Sequence, residues 1–105
     1  MNLDPTIIAV ATDPFHGGFI RAVVTQYDPG AGCELVLERY TYGDEASPHR
    51  LVKQHDVTYA GEPPGKLYFL DGCLYLVERD DGRKPRTYYV RASATEFGDK
   101  AHRET

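Results

Sequence analysis

Lys66-Leu67-Tyr68-Phe69-Leu70-Asp71-Gly72-Cys73-Leu74-Tyr75-Leu76-Val77-Glu78-Arg79 is the stretch that decides the fold. Two apolar runs flank an Asp-Gly pair. That pair favours a two-residue type I′ turn, because both central residues must take positive φ. Such a turn fixes the register of the hairpin: Leu70 faces Cys73, Phe69 faces Leu74, Tyr68 faces Tyr75 and Leu67 faces Leu76. Side chains alternate across a strand, so two faces follow. One carries Leu67, Phe69, Leu74 and Leu76, is wholly apolar, and is expected to be core. The other carries Lys66, Tyr68, Leu70, Cys73, Tyr75 and Val77, and is mixed.

Working outward, a second hairpin is expected around Asp81-Gly82. With a two-residue turn there, Asp80 faces Arg83 and Tyr75 faces Tyr88, so Tyr68, Tyr75 and Tyr88 form a row across three strands. Pro85 lies close to this turn and cannot donate to the ladder. A slip of one residue would put Tyr89 in the row instead of Tyr88.

The rest of the chain reads the same way. Tyr, Val, Thr, Ile and Phe dominate, no long window shows a 3.6-residue apolar repeat, and Gly and Pro clusters separate the apolar runs. Strands are predicted at about 7–12, 19–27, 33–42, 50–59, 66–70, 73–79 and 86–94. The polar tail from about residue 96 to 105 is expected to fray, with Phe97 as the one candidate to dock. The expected fold is a single all-β domain over residues 1–105: an antiparallel meander of six to seven strands, forming a small barrel or a sandwich. Gly32-Cys33-Glu34-Leu35-Val36-Leu37-Glu38-Arg39 also resembles Gly72-Cys73-Leu74-Tyr75-Leu76-Val77-Glu78-Arg79 about 40 residues on. Each copy opens the middle strand of a three-strand meander. Duplication is one account, and chance among short strands is the plainer one.

Composition narrows the function classes. A chain of 105 residues with 41% apolar and 27% charged residues can bury roughly two-thirds of its unfolded surface without metal or disulfide staples. The net charge of −4 argues against a phosphate-binding nucleic-acid protein, which needs a basic face. Among Arg79, Arg83, Lys84 and Arg86 stand Glu78, Asp80 and Asp81, so this cluster reads as a solvated hairpin tip. No signal-peptide pattern and no apolar run of membrane-spanning length occurs, so a cytoplasmic location is the default, with Cys33 and Cys73 as buried thiols.

Chemistry-bearing motifs are sparse. His49 and His55 lie too far apart along one strand to share a metal ion, no Cys-x-x-Cys pair exists, and no metal or cofactor is implied. Nucleophile elbows, phosphate loops and dinucleotide fingerprints are absent. Pro14-Phe15-His16-Gly17-Gly18 is the most unusual loop. Its glycines would allow close backbone approach to a ligand, with His16 as acid or base. The plainer reading is a tight connection with Phe15 plugging one end of the fold. Tyrosine is the compositional excess, with eight residues and no tryptophan. Tyr joins apolar area to a hydroxyl and is enriched in binding surfaces. The primary expectation is therefore a non-enzymatic binding or protein-interaction module that self-associates, with Tyr68, Tyr75, Tyr88 and His16 as candidate binding residues. The alternative is a small barrel that binds or acts on an apolar ligand, with His16 near the pocket mouth. A single-strand nucleic-acid platform is a third reading, and the charge weighs against it.

Overall fold

The computed structural model describes residues 8–15, 17–28, 30–42, 49–79, 82 and 84–104. Eight strands follow one another: β1 (Ile8–Thr12), β2 (Phe19–Asp28), β3 (Gly32–Tyr42), β4 (His49–Tyr59), β5 (Pro64–Leu70), β6 (Cys73–Glu78), β7 (Thr87–Arg91) and β8 (His102–Arg103). They form two antiparallel four-stranded sheets, β1-β2-β3-β4 and β5-β6-β7-β8, hereafter the first and second sheets. The sheets face each other as a sandwich. The expected meander thus divides between β4 and β5, and among the described residues no closed barrel forms.

Alternation builds the core. Ile20, Ala22 and Val24 of β2 and Leu35 and Leu37 of β3 turn inward from one sheet. Leu67, Leu74, Leu76, Tyr88 and Val90 meet them from the other. Each fully buried Leu, Ile or Val contributes about 1.5–3 kcal/mol. The apolar face expected of the Asp71-Gly72 hairpin is this core layer: Leu67, Leu74 and Leu76 are buried and Phe69 packs at its margin. The turn itself is type I′ in character, with φ of 50° at Asp71 and 78° at Gly72, and all four expected pairings hold.

The second hairpin differs by one residue. Tyr75 faces Tyr89 and Leu76 faces Tyr88. Tyr88 is therefore a core residue, 4% exposed, set edge-on against Tyr59. The physical reason lies at the strand ends. Pro85 offers no N–H, so the strand ladder begins only at Val77 and Thr87. Glu78 N–H donates to the Arg86 carbonyl, while Arg86 N–H turns to the Glu78 carboxylate. The Asp80–Arg83 pair expected from the sequence, His16 and the polar stretch 43–48 lie outside the described residues.

The tail does not fray. Phe97 bridges to Ala92 and is 6% exposed, Ala101 is buried, and β8 pairs with β7. Between these points the segment crosses to the first sheet, where Thr58 N–H donates to the Asp99 carbonyl and Ala101 N–H to the Thr58 carbonyl. Two buried apolar side chains and a row of backbone bonds outweigh the polarity of the residues between them. On the opposite side β1 packs along β5.

The likeness between residues 32–39 and 72–79 does not extend to three dimensions. The first copy buries Cys33, Leu35 and Leu37, and the second buries Leu74 and Leu76. Aligned positions thus face opposite sides of their sheets. Cys33 and Cys73 are free thiols, one buried and one half-buried.

Candidate functional site

The outer face of the second sheet gathers the tyrosines. Strand pairing places Tyr68, Tyr75, Tyr89 and His102 side by side, one from each of β5, β6, β7 and β8. Tyr68 and Tyr75 are stacked, with centroids 5.0 Å apart and planes within 6°. Tyr75 and Tyr89 follow at 5.9 Å and 44°, and Tyr89 and His102 at 5.6 Å and 35°. Lys66 places its ammonium 5.9 Å from the Tyr68 centroid. The Tyr75 phenol is pushed above its ordinary range, by desolvation first and then by its neighbours Cys73 and Glu104.

The geometry decides what this row can contact. Tyr68 and Tyr75 stack face to face, and the two contacts that follow are tilted. Centroid spacings of 5–6 Å leave no room for a nucleobase between neighbouring rings. A phenol tip both donates and accepts a hydrogen bond, and its ring edge adds apolar contact.

A second row runs beside the first. Lys66 faces Val77, Val77 faces Thr87, and Glu104 N–H donates to the Thr87 carbonyl. A cation thus stands at the β5 edge of the face and an anion at the β8 edge. Toward the other end, Leu70 is 53% exposed beside Cys73, and Cys73 faces Arg91.

That end opens into a groove of about 840 Å³ lined by Phe15, Cys73, Tyr89, Arg91, Phe97 and Gly98, among others. Beneath it lies Arg39, 1% exposed. Its guanidinium donates to the Ala94 carbonyl at 2.6 Å and the Ser93 carbonyl at 2.7 Å, and meets Asp13 at 3.2 Å. The rings of Phe15 and Phe97 lie 5.7 and 4.7 Å from it. Burial pulls the Arg39 pKa down and the Asp13 charge opposes that pull. The loop before β2 is closed on itself: Phe15 N–H donates to the Asp13 carboxylate and Asp13 N–H to the Gly18 carbonyl. A Cβ on Gly18 would strike the β3 backbone at Tyr40. This glycine serves the chain's own packing. Phe15 lies over Arg39 and meets Phe69 edge-on at 6.1 Å, but at 45% exposed it falls short of the plug that the plainer reading expects.

The outer face of the first sheet has a different character. Arg21, Tyr40 and Gln54 all hydrogen-bond or pair with Glu38, and Phe19 stacks on Tyr40. Burial alone would raise the Glu38 carboxyl, but Arg21 and Gln54 hold it below its ordinary range.

Of the candidate residues, Tyr68 and Tyr75 come together, Tyr88 belongs to the core, and His16 lies outside the described residues. Tyr89, His102 and Arg39 were not candidates. Tyr89 was visible in the sequence as the outcome of a one-residue slip. His102 was hidden by the polarity of its segment. Among the described residues, no three His, Cys, Asp or Glu side chains gather as a metal site, and no helix is long and apolar enough to cross a membrane. No protein-family model, no curated protein and no solved structure matches the chain.

Proposed function

We propose that this protein is a non-enzymatic interaction module that self-associates through the outer face of the second sheet. The observation that carries the reading is the four-ring row of Tyr68, Tyr75, Tyr89 and His102, which spans every strand of that sheet. Such a face offers apolar area with hydroxyl tips at low entropic cost. Leu70, half exposed on the same face, adds apolar surface to it. Light scattering over a concentration series tests the reading. The expected mass rises to that of a dimer, and Leu70→Glu returns it to a monomer while the circular dichroism spectrum stays unchanged. A wild-type mass that stays monomeric at every concentration overturns the reading.

The groove favours a second reading, a site for an apolar ligand, with His16, the residue that follows the lining residue Phe15 in the chain, as the side chain to test. It is an open furrow at the end of the sandwich, with Phe15 and Phe97 among its walls. Saturable binding of anilinonaphthalene sulfonate that His16→Ala weakens supports this reading. Uptake unaffected by that substitution counts against it.

A further inference from the structure

Resting on the self-association reading, we infer that the partner is a second copy related by a twofold axis that runs along the strands, between β6 and β7, in the plane of contact. The outer face is complementary to itself under that operation and under few others. The axis exchanges the left and right edges of the sheet and keeps its two ends in place. Tyr68 then meets the partner's His102, and Tyr75 meets the partner's Tyr89. Each pair joins a phenol to a ring that can exchange a hydrogen bond or an edge contact with it.

The neighbouring row makes the match electrostatic. It reads Lys66, Val77, Thr87, Glu104 across the sheet. Reversed, it sets Lys66 against the partner's Glu104 and Glu104 against the partner's Lys66, with Val77 and Thr87 facing each other between. A twofold axis normal to the sheet would swap the ends and keep both faces pointing one way, which brings no two outer faces together. An axis in the plane but across the strands would set each edge of the sheet on its own edge, Lys66 on the side of the partner's Lys66. Charge therefore selects one orientation. Aligned sheets pack with their strands about 30° apart, which this axis permits. The contact is isologous and closes at two copies.

Charge reversal and its rescue test the arrangement. Lys66 and Glu104 are exposed, so thermal melts of the variants should match the wild type. Sedimentation velocity should show Lys66→Glu and Glu104→Lys each weakening the dimer by at least about tenfold, since each replaces two attractions with two repulsions. The double variant Lys66→Glu/Glu104→Lys restores all pairs and should dimerise like the wild type. An equimolar mixture of the two single variants should form heterodimers, because one chain then carries two glutamates where the other carries two lysines. A wild-type dimer with neither rescue nor heterodimer formation overturns this orientation and leaves self-association standing. A monomeric wild type overturns both.

Discussion

The two ends of the sandwich are closed by opposite charges. At one end the buried cation Arg39 draws together the loop before β2, through Asp13, and the loop after β7, through the carbonyls of Ser93 and Ala94. At the other end the buried anion Glu78 gathers donors. It accepts from Glu62 N–H at 2.7 Å, from Arg86 N–H at 2.7 Å and from the Arg86 guanidinium through both carboxylate oxygens at 2.9 Å. The two hubs differ in what they leave over. The Arg86 side chain is 38% exposed, so water shares the load at the Glu78 end. The Arg39 and Asp13 side chains are 2% and 0% exposed, and Arg39 Nε and Asp13 Oδ2 meet as an ion pair without hydrogen-bond geometry. A charge that water cannot reach depends wholly on its protein partners.

The largest effect is therefore expected at the Arg39 end. Arg39→Met removes the guanidinium and leaves the Asp13 carboxylate buried without its counter-charge, together with two freed carbonyls. The expected loss is about 3–5 kcal/mol, the usual cost of breaking a buried pair from one side. Urea denaturation measures it. The double variant Arg39→Met/Asp13→Ala should lose less than the two single variants together, because it buries no orphaned charge. Additive losses would show that the two side chains do not depend on each other.

At the Glu78 end the effect is smaller and depends on pH. Burial pushes the Glu78 carboxyl up, but the Arg86 guanidinium and the N–H groups of Glu62 and Arg86 outweigh burial and hold it below the ordinary carboxylate range. A depressed folded-state value means the carboxylate contributes fully above the unfolded value of roughly 4.3 and ceases to contribute as pH falls through the folded one. Glu78→Gln should cost about 2 kcal/mol at pH 7, discounted for the partly exposed Arg86. That difference should shrink as the solution is acidified below pH 4. A cost independent of pH would mean that shape, and not charge, is what Glu78 supplies.

How much of this was legible in the sequence follows from the same contrast. Local chemistry was readable. Asp71-Gly72 fixed its own turn and register because both positive-φ positions are adjacent in the chain. Strand positions followed from turn residues and alternation. The hubs were not readable, because Arg39 meets Ser93 and Ala94 across more than fifty residues of chain. As letters, Glu38-Arg39 and Glu78-Arg79 look alike, yet Arg39 is buried and Arg79 exposed. Arg39 continues the inward alternation of Cys33, Leu35 and Leu37, whereas Arg79 follows the inward Leu74, Leu76 and Glu78 by one residue and turns outward. The site was half legible for a related reason. Tyr68 and Tyr75 share the well-fixed hairpin, whereas Tyr89 depends on a turn whose register Pro85 and Glu78 set together.

The C-terminal segment links the two ends, and it carries the smallest expected effect. It leaves the Arg39 end at Phe97, crosses to β4, and returns to the second sheet at β8. His55 Nε2 lies 2.8 Å from Asp99 Oδ1 at the crossing, but the Asp99 side chain is 92% exposed. Exposed pairs contribute between nothing and about 1 kcal/mol. The neighbouring backbone bonds between Thr58 and residues 99 and 101 do not involve the Asp99 carboxylate. Asp99→Asn should therefore shift stability by less than about 1 kcal/mol and leave amide exchange protection at Thr58 and Ala101 intact. Loss of that protection would mean that the surface contact between His55 and Asp99, and not the buried Phe97 and Ala101, holds the segment across the two sheets.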